Sequence, residues 1–88
     1  FRHYMVSTRG KFDLIFANIL FLPLKSMVKR AAEVIKNGGI IILSGISHQQ
    51  AIRVEKVYFN HSFKRVDVLR EGPWTSLALR YFGKNKKY

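Results

Sequence analysis

Eighty-eight residues make one small domain, and a chain this short buries only roughly 60–65% of its unfolded surface, which argues against a large self-contained core. At 48% hydrophobic and 24% charged the composition is globular, and the lack of cysteine excludes disulfides, thiolate zinc sites and cysteine nucleophiles. Sixteen Lys and Arg against five Asp and Glu leave a formal charge of +11, which points toward an anionic partner such as RNA or a ribosome without identifying one.

Residues 1–11 mix Arg, His, Ser, Thr and Gly without periodicity and are expected to form a lead-in loop. The first residue is Phe rather than Met, so the sequence reads as a piece of something longer, or a product cut upstream. From Phe12 to Ile19 the pattern predicts a strand with Leu14 and Phe16 on one face and Ile15 and Ala17 on the other. Both faces are apolar, as in parallel strands that are covered on both sides.

Pro23 is placed to open a helix. Leu20, Leu24, Met27, Val28, Ala31 and Ile35 recur at helical spacing, while Lys25, Lys29, Arg30, Glu33 and Lys36 take the wet side. Asn37-Gly38-Gly39 is expected to stop that helix. Ile40–Leu43 predicts a buried β-branched strand, and Ser44-Gly45-Ile46 a turn out of it. Ser47 with Gln50 has the spacing of a capping box and predicts a second helix through Tyr58, with Ala51, Val54, Val57 and Tyr58 inward. Phe63–Leu69 and Trp74–Phe82 then form a hairpin around Glu71-Gly72-Pro73, with Leu77, Leu79 and Tyr81 on one side. No apolar run approaches the roughly 18 residues of a membrane span, and no secretory segment opens the chain.

The order β-α-β-α-β-β is an α/β pattern ending in an antiparallel hairpin. If both right-handed crossovers step the same way, both helices cover one face and leave the other bare. About four strand residues from Phe16 and Ile40–Leu43 exposed there would forfeit roughly 6–12 kcal/mol, close to the whole stability of a typical domain, and something further is expected to cover that side.

Phe12-Asp13-Leu14-Ile15-Phe16-Ala17-Asn18-Ile19-Leu20, Pro23-Leu24, Lys36-Asn37-Gly38-Gly39, Leu43-Ser44-Gly45-Ile46 with Gln50, and Glu71-Gly72-Pro73-Trp74 together resemble the C-terminal half of the PrmA family of ribosomal-protein methyltransferases. These are class I enzymes dependent on S-adenosylmethionine. The resemblance spans residues 12–82, which it marks as a partial methyltransferase domain between the lead-in of residues 1–11 and a basic tail at 83–88. It implies strands four to seven of a Rossmann-like seven-strand sheet, with the last strand inserted antiparallel between five and six. It also implies that Asn18 lines the cofactor pocket beside the target amine as the catalytic and cofactor-binding residue, with Ile19 and Leu20 at the substrate. The glycine-rich loop and the acidic residue by which such enzymes hold the cofactor have no counterpart here. A companion N-terminal half, in the same or a separate chain, is therefore the expected partner, and Phe12–Ile19 would pair with it along a free edge.

His3, His48 and His61 lack ligand spacing, so no metal site is expected. Ser44 lacks a nucleophile elbow, Glu71 falls in a solvated turn, and Trp74 is expected to pack. The leading expectation is a partial, cytoplasmic protein N-methyltransferase, inactive alone, whose substrate is a ribosomal protein and which has no membrane role. The alternatives are a basic non-enzymatic module that binds RNA or the ribosome, and a decayed fragment.

Overall fold

A computed structural model of the chain describes residues 2–8, 11–18 and 24–83. Its elements are β1 (Arg2–Thr8), β2 (Lys11–Asn18), α1 (Leu24–Val34), β3 (Ile35–Ser47), α2 (His48–Phe59), β4 (Phe63–Glu71) and β5 (Trp74–Tyr81). They form one five-stranded sheet in the order β1-β2-β3-β5-β4. β2 and β3 are parallel, and β5 runs antiparallel between β3 and β4. The last strand is thus inserted between the two before it, as the resemblance implied. Pro23, Leu20 and the tail beyond residue 83 lie outside the described residues.

Three expectations are corrected. Residues 2–8 are not a loop but the strand β1, paired antiparallel with β2 from Arg2↔Asn18 to Thr8↔Lys11. Pairing satisfies backbone groups along an edge of β2 that would otherwise be bare, and it means that β2 offers no free edge to a companion chain. The second correction concerns Asn37-Gly38-Gly39. The helix ends at Val34, Ile35 already pairs with Phe12, and the next pair is Leu14↔Ile40, so these residues form a bulge inside β3. Gly38 holds φ +81°, and a Cβ on Gly39 would sit 2.7 Å from Ile35 Cγ1 and 2.9 Å from the Lys36 carbonyl oxygen. Ser44-Gly45 is likewise a bulge within β3 rather than an exit turn. The register jumps there from Leu43↔Leu77 to Ile46↔Thr75, with φ +77° at Gly45.

Both helices pack on one face of the sheet. Ile15, Ala17, Ile41, Leu43, Leu77, Leu79 and Tyr81 meet Met27, Val28, Ala31, Ala51, Val54 and Tyr58 in a single core. The second helix begins with the expected capping box, in which the Gln50 amide donates to the Ser47 hydroxyl and the Ser47 amide donates to Gln50 Oε1. By strand alternation Leu14, Phe16, Ile40, Ile42 and Ala78 lie on the opposite face, and no described helix covers them. Phe16 is 40% exposed there, and Ile40 and Ile42 are half-buried. Ile41 and Leu43 point to the helices, so the bare face costs less than four open side chains would. No described helix is long and apolar enough to cross a membrane.

Candidate active site

Parallel strands deliver their C-terminal ends to one rim, and in open α/β sheets ligands bind at that rim. Asn18 ends β2 and pairs with Ser44 of β3. Just beyond, α2 starts at His48, β5 starts at Trp74 opposite Ser47, and β4 finishes at Glu71. Asn18, Ser44, His48, Glu71 and Trp74 therefore share one end of the sheet. Asn18 is exposed, and alternation puts it on the face opposite the helices, with Phe16 and Leu14. Ile19 and Leu20, the expected substrate contacts, lie outside the described residues.

Trp74, expected to pack, is 48% exposed, and it falls on the same open face as Ser76 and Ala78. Strand alternation explains the outcome: Thr75, Leu77, Leu79 and Tyr81 took the core side, which leaves Trp74 to the other. The exposed Glu71 is as expected.

His48 has a role that its local sequence did not reveal. Its Nδ1 lies 2.5 Å from the Thr75 hydroxyl and its Nε2 2.9 Å from the Gly72 carbonyl oxygen. In the neutral ring Nε2–H donates to Gly72 and the Thr75 hydroxyl donates to Nδ1. Thr75 is fully buried, so this bond satisfies its hydroxyl. The imidazole thus ties the start of α2 to both sides of the Gly72–Trp74 segment. Its partners stand 24 and 27 residues away, too far for any local spacing to signal.

Asn18 is flanked across the sheet by Arg2 of β1 and Ser44 of β3. Among the described residues the carboxylate at this end of the sheet is Glu71, on β4, three strands from β2 and so about 14 Å away. Carbonyl acceptors in this setting can orient an amine without acting as a base. A nucleoside's ribose diol, which needs a nearby carboxylate, finds none beside Asn18 among the described residues. The described residues at this rim do not by themselves make up a nucleoside-binding set.

A parallel β-α-β unit, a second helix on the same face and a final strand inserted antiparallel between its predecessors define the C-terminal part of a Rossmann-like class I methyltransferase sheet. The sequence profile of ribosomal protein L11 methyltransferase (PrmA) matches residues 2–81. The chain belongs to the ribosomal protein L11 methyltransferase family and corresponds to the C-terminal portion of its members.

Curated relatives bearing that name include one from Mesorhizobium japonicum, 37% identical over 81 residues, which are 92% of this chain and 28% of the relative. Another, from Burkholderia mallei, is 44% identical over 69 residues, or 78% of this chain and 23% of the relative. The chain thus spans about a quarter of the length of the relatives it matches. The crystal structure of ribosomal protein L11 methylase from Lactobacillus delbrueckii subsp. bulgaricus superposes with a TM-score of 0.73 at 35% identity, covering 83% of this chain and 38% of that one. A methyltransferase from Pyrococcus furiosus, at 15% identity and TM-score 0.62, shares the fold, over 88% of this chain and 44% of its own.

Proposed function

We propose that this chain is the acceptor-side part of an S-adenosylmethionine-dependent protein N-methyltransferase that acts on amino groups of a ribosomal protein, and that Asn18 is the residue that aims the amine. The observation that carries this reading is the position of Asn18. It lies exposed at the C-terminal end of a parallel strand, on the open face, within the segment matched by the family. The cofactor, when bound, supplies the methyl group as an electrophile.

The chain's own task is to present a neutral amine with its lone pair forward. Deprotonating a lysine of pKa about 10.4 at pH 7 costs roughly 4–5 kcal/mol, and an α-amine near 8 costs about 1. The Asn18 side-chain carbonyl accepts an N–H of that amine and fixes the direction of the lone pair. Such positioning contributes several kcal/mol without a strong base. Trp74, at the same rim, gives the substrate chain an apolar wall. The remaining part of the cofactor site comes from a segment seated on the open face of the sheet, so the chain alone does not methylate.

The test is a chimaera in which residues 2–81 replace the matching segment of the Burkholderia mallei relative. Tritiated methyl transfer to a ribosomal protein substrate is the readout. The chimaera is expected to be active, and Asn18→Ala to slow it at least tenfold, about 1.4 kcal/mol of lost positioning. Unchanged turnover in Asn18→Ala would remove the assigned role. Micromolar binding of labelled S-adenosylmethionine by the 88-residue chain alone would overturn the incomplete-site reading.

A further inference from the structure

Five of the sixteen bases lie on the two helices. Helices α1 and α2 lie side by side on one face of the sheet, and their outer surfaces expose Lys25, Lys29, Arg30, Arg53 and Lys56. The two helices carry only two carboxylates. One of them, Glu55, is 3.6 Å from Arg65 of β4 and is turned toward that cation, which leaves Glu33 alone against five bases. Elsewhere Asp13 is held by Lys36 at 3.1 Å, while Asp67 and Glu71 lie on β4. At 1.5 Å rise per residue and 8–10 Å between packed helices, the five cations fall within a patch about 15 Å across.

A second feature separates this patch from a merely solvated face. Ile52 is 79% exposed and Phe59 61% exposed, on the same outer side of α2 as Arg53 and Lys56. A surface tuned only for solubility has no use for an open phenyl ring among cations. Ring and bases together fit a nucleic-acid strand, which offers phosphates to the cations and an unstacked base to the ring. An anionic membrane fits less well, because interfacial helices bury a broad apolar face and α2 offers two isolated apolar residues seven positions apart.

We propose that the outer α1–α2 surface binds RNA through a single-stranded loop, with Phe59 stacking on a base and Lys25, Lys29, Arg30, Arg53 and Lys56 holding phosphates. This surface is on the opposite side of the sheet from Asn18 and Trp74, and its function does not depend on methyl transfer.

The experiment is fluorescence anisotropy of the full chain with a fluorescein-labelled RNA hairpin that carries a single-stranded loop. With five phosphate contacts, affinity should fall about 100-fold between 50 and 200 mM salt. Replacing all five bases with Gln, each at an exposed position, should leave the circular dichroism spectrum unchanged and flatten that dependence to a few-fold. Phe59→Ser should weaken binding about 5- to 150-fold, as expected for one stacked base. The proposal is overturned if the five-Gln variant keeps the parent's affinity and salt slope, or if Phe59→Ser has no effect. Loss of binding on replacing only Lys84, Lys86 and Lys87 would also overturn it, as would tighter binding to phosphatidylcholine–phosphatidylserine vesicles than to RNA.

Discussion

Tyr58 is the least accommodated polar group in the core, and its removal should stabilise the protein. The side chain is fully buried, with its ring edge-on to Phe63 at 5.2 Å between centroids, and Phe63 lies 4.9 Å from the ring of Tyr81. Among the described residues its hydroxyl has no hydrogen-bond partner. Burial pushes its pKa well above the ordinary tyrosine value, because the phenolate would have to form out of water. In the unfolded chain Tyr58 titrates near 10, so above that pH the unfolded state holds fewer protons than the folded one and stability falls as pH rises. The slope from this one group is about 1.4 kcal/mol per pH unit, or roughly 3 kcal/mol between pH 10 and 12, a sizeable part of a typical 5–15 kcal/mol. Tyr58→Phe removes the titration and the desolvated hydroxyl together, for a gain of about 1 kcal/mol at pH 7 and about 4–8 °C in Tm. Thermal melts followed by far-ultraviolet circular dichroism from pH 7 to 12 would show a higher and flatter profile for the variant. Some alkaline decline should survive, since burial raises the pKa of Tyr81 as well. A variant that melts lower at pH 7, or loses stability above pH 10 as steeply as the parent, would show that the hydroxyl makes a bond and that the reasoning fails.

Gly39→Ala should cost about 1–3 kcal/mol in a urea melt, because the new methyl meets the Ile35 side chain at 2.7 Å and two backbone carbonyls within 3.1 Å. A neutral result would mean that the β3 bulge is looser than described. Ser47→Ala should lose about 1 kcal/mol, since the capping box at the start of α2 goes with it; equal midpoints for parent and variant would argue against the cap. His48→Ala should release the Gly72–Trp74 segment while the fold persists. Trp74 is the single tryptophan, so a drop in fluorescence anisotropy without a change in circular dichroism reports it directly, and unchanged anisotropy would refute the clamp.

The parts of the fold visible in the sequence were those set by short-range periodicity. Alternation in β2 correctly separated Ile15 and Ala17 from Phe16, helical spacing placed Met27, Val28 and Ala31 inward, and Ser47 with Gln50 marked the start of α2. Long-range pairing decided what was missed. β1 has no clean alternation, and it is a strand because β2 has an edge to pair with. Gly38 and Gly45 read locally as stops, yet each sits in a bulge whose existence depends on the register of a neighbouring strand. The candidate site divides the same way. Asn18 could be singled out because it ends a strand in a recognisable segment, whereas the exposure of Trp74 and the grip of His48 depend on how β5 docks beside β3.

The open face of the sheet links the physical and functional readings. Its register rows run Phe16–Ile42–Ala78–Asp67 and Leu14–Ile40–Arg80–Lys64, apolar over β2 and β3 and increasingly charged toward β4. A covering layer that followed this gradient would sit over β2 and β3 and stop short of the edge strand. Strands with aliphatic side chains on both faces are built for such cover, since parallel sheets are characteristically buried on both sides. The apolar centre of that face ends at Asn18. A layer docked there to bury Phe16 would also bring its own residues to the rim beside Asn18, where the proposed function puts the amine and where the described residues offer no carboxylate for a nucleoside. Under the proposed function, burial of this face and completion of the cofactor site therefore call for the same segment at the same place.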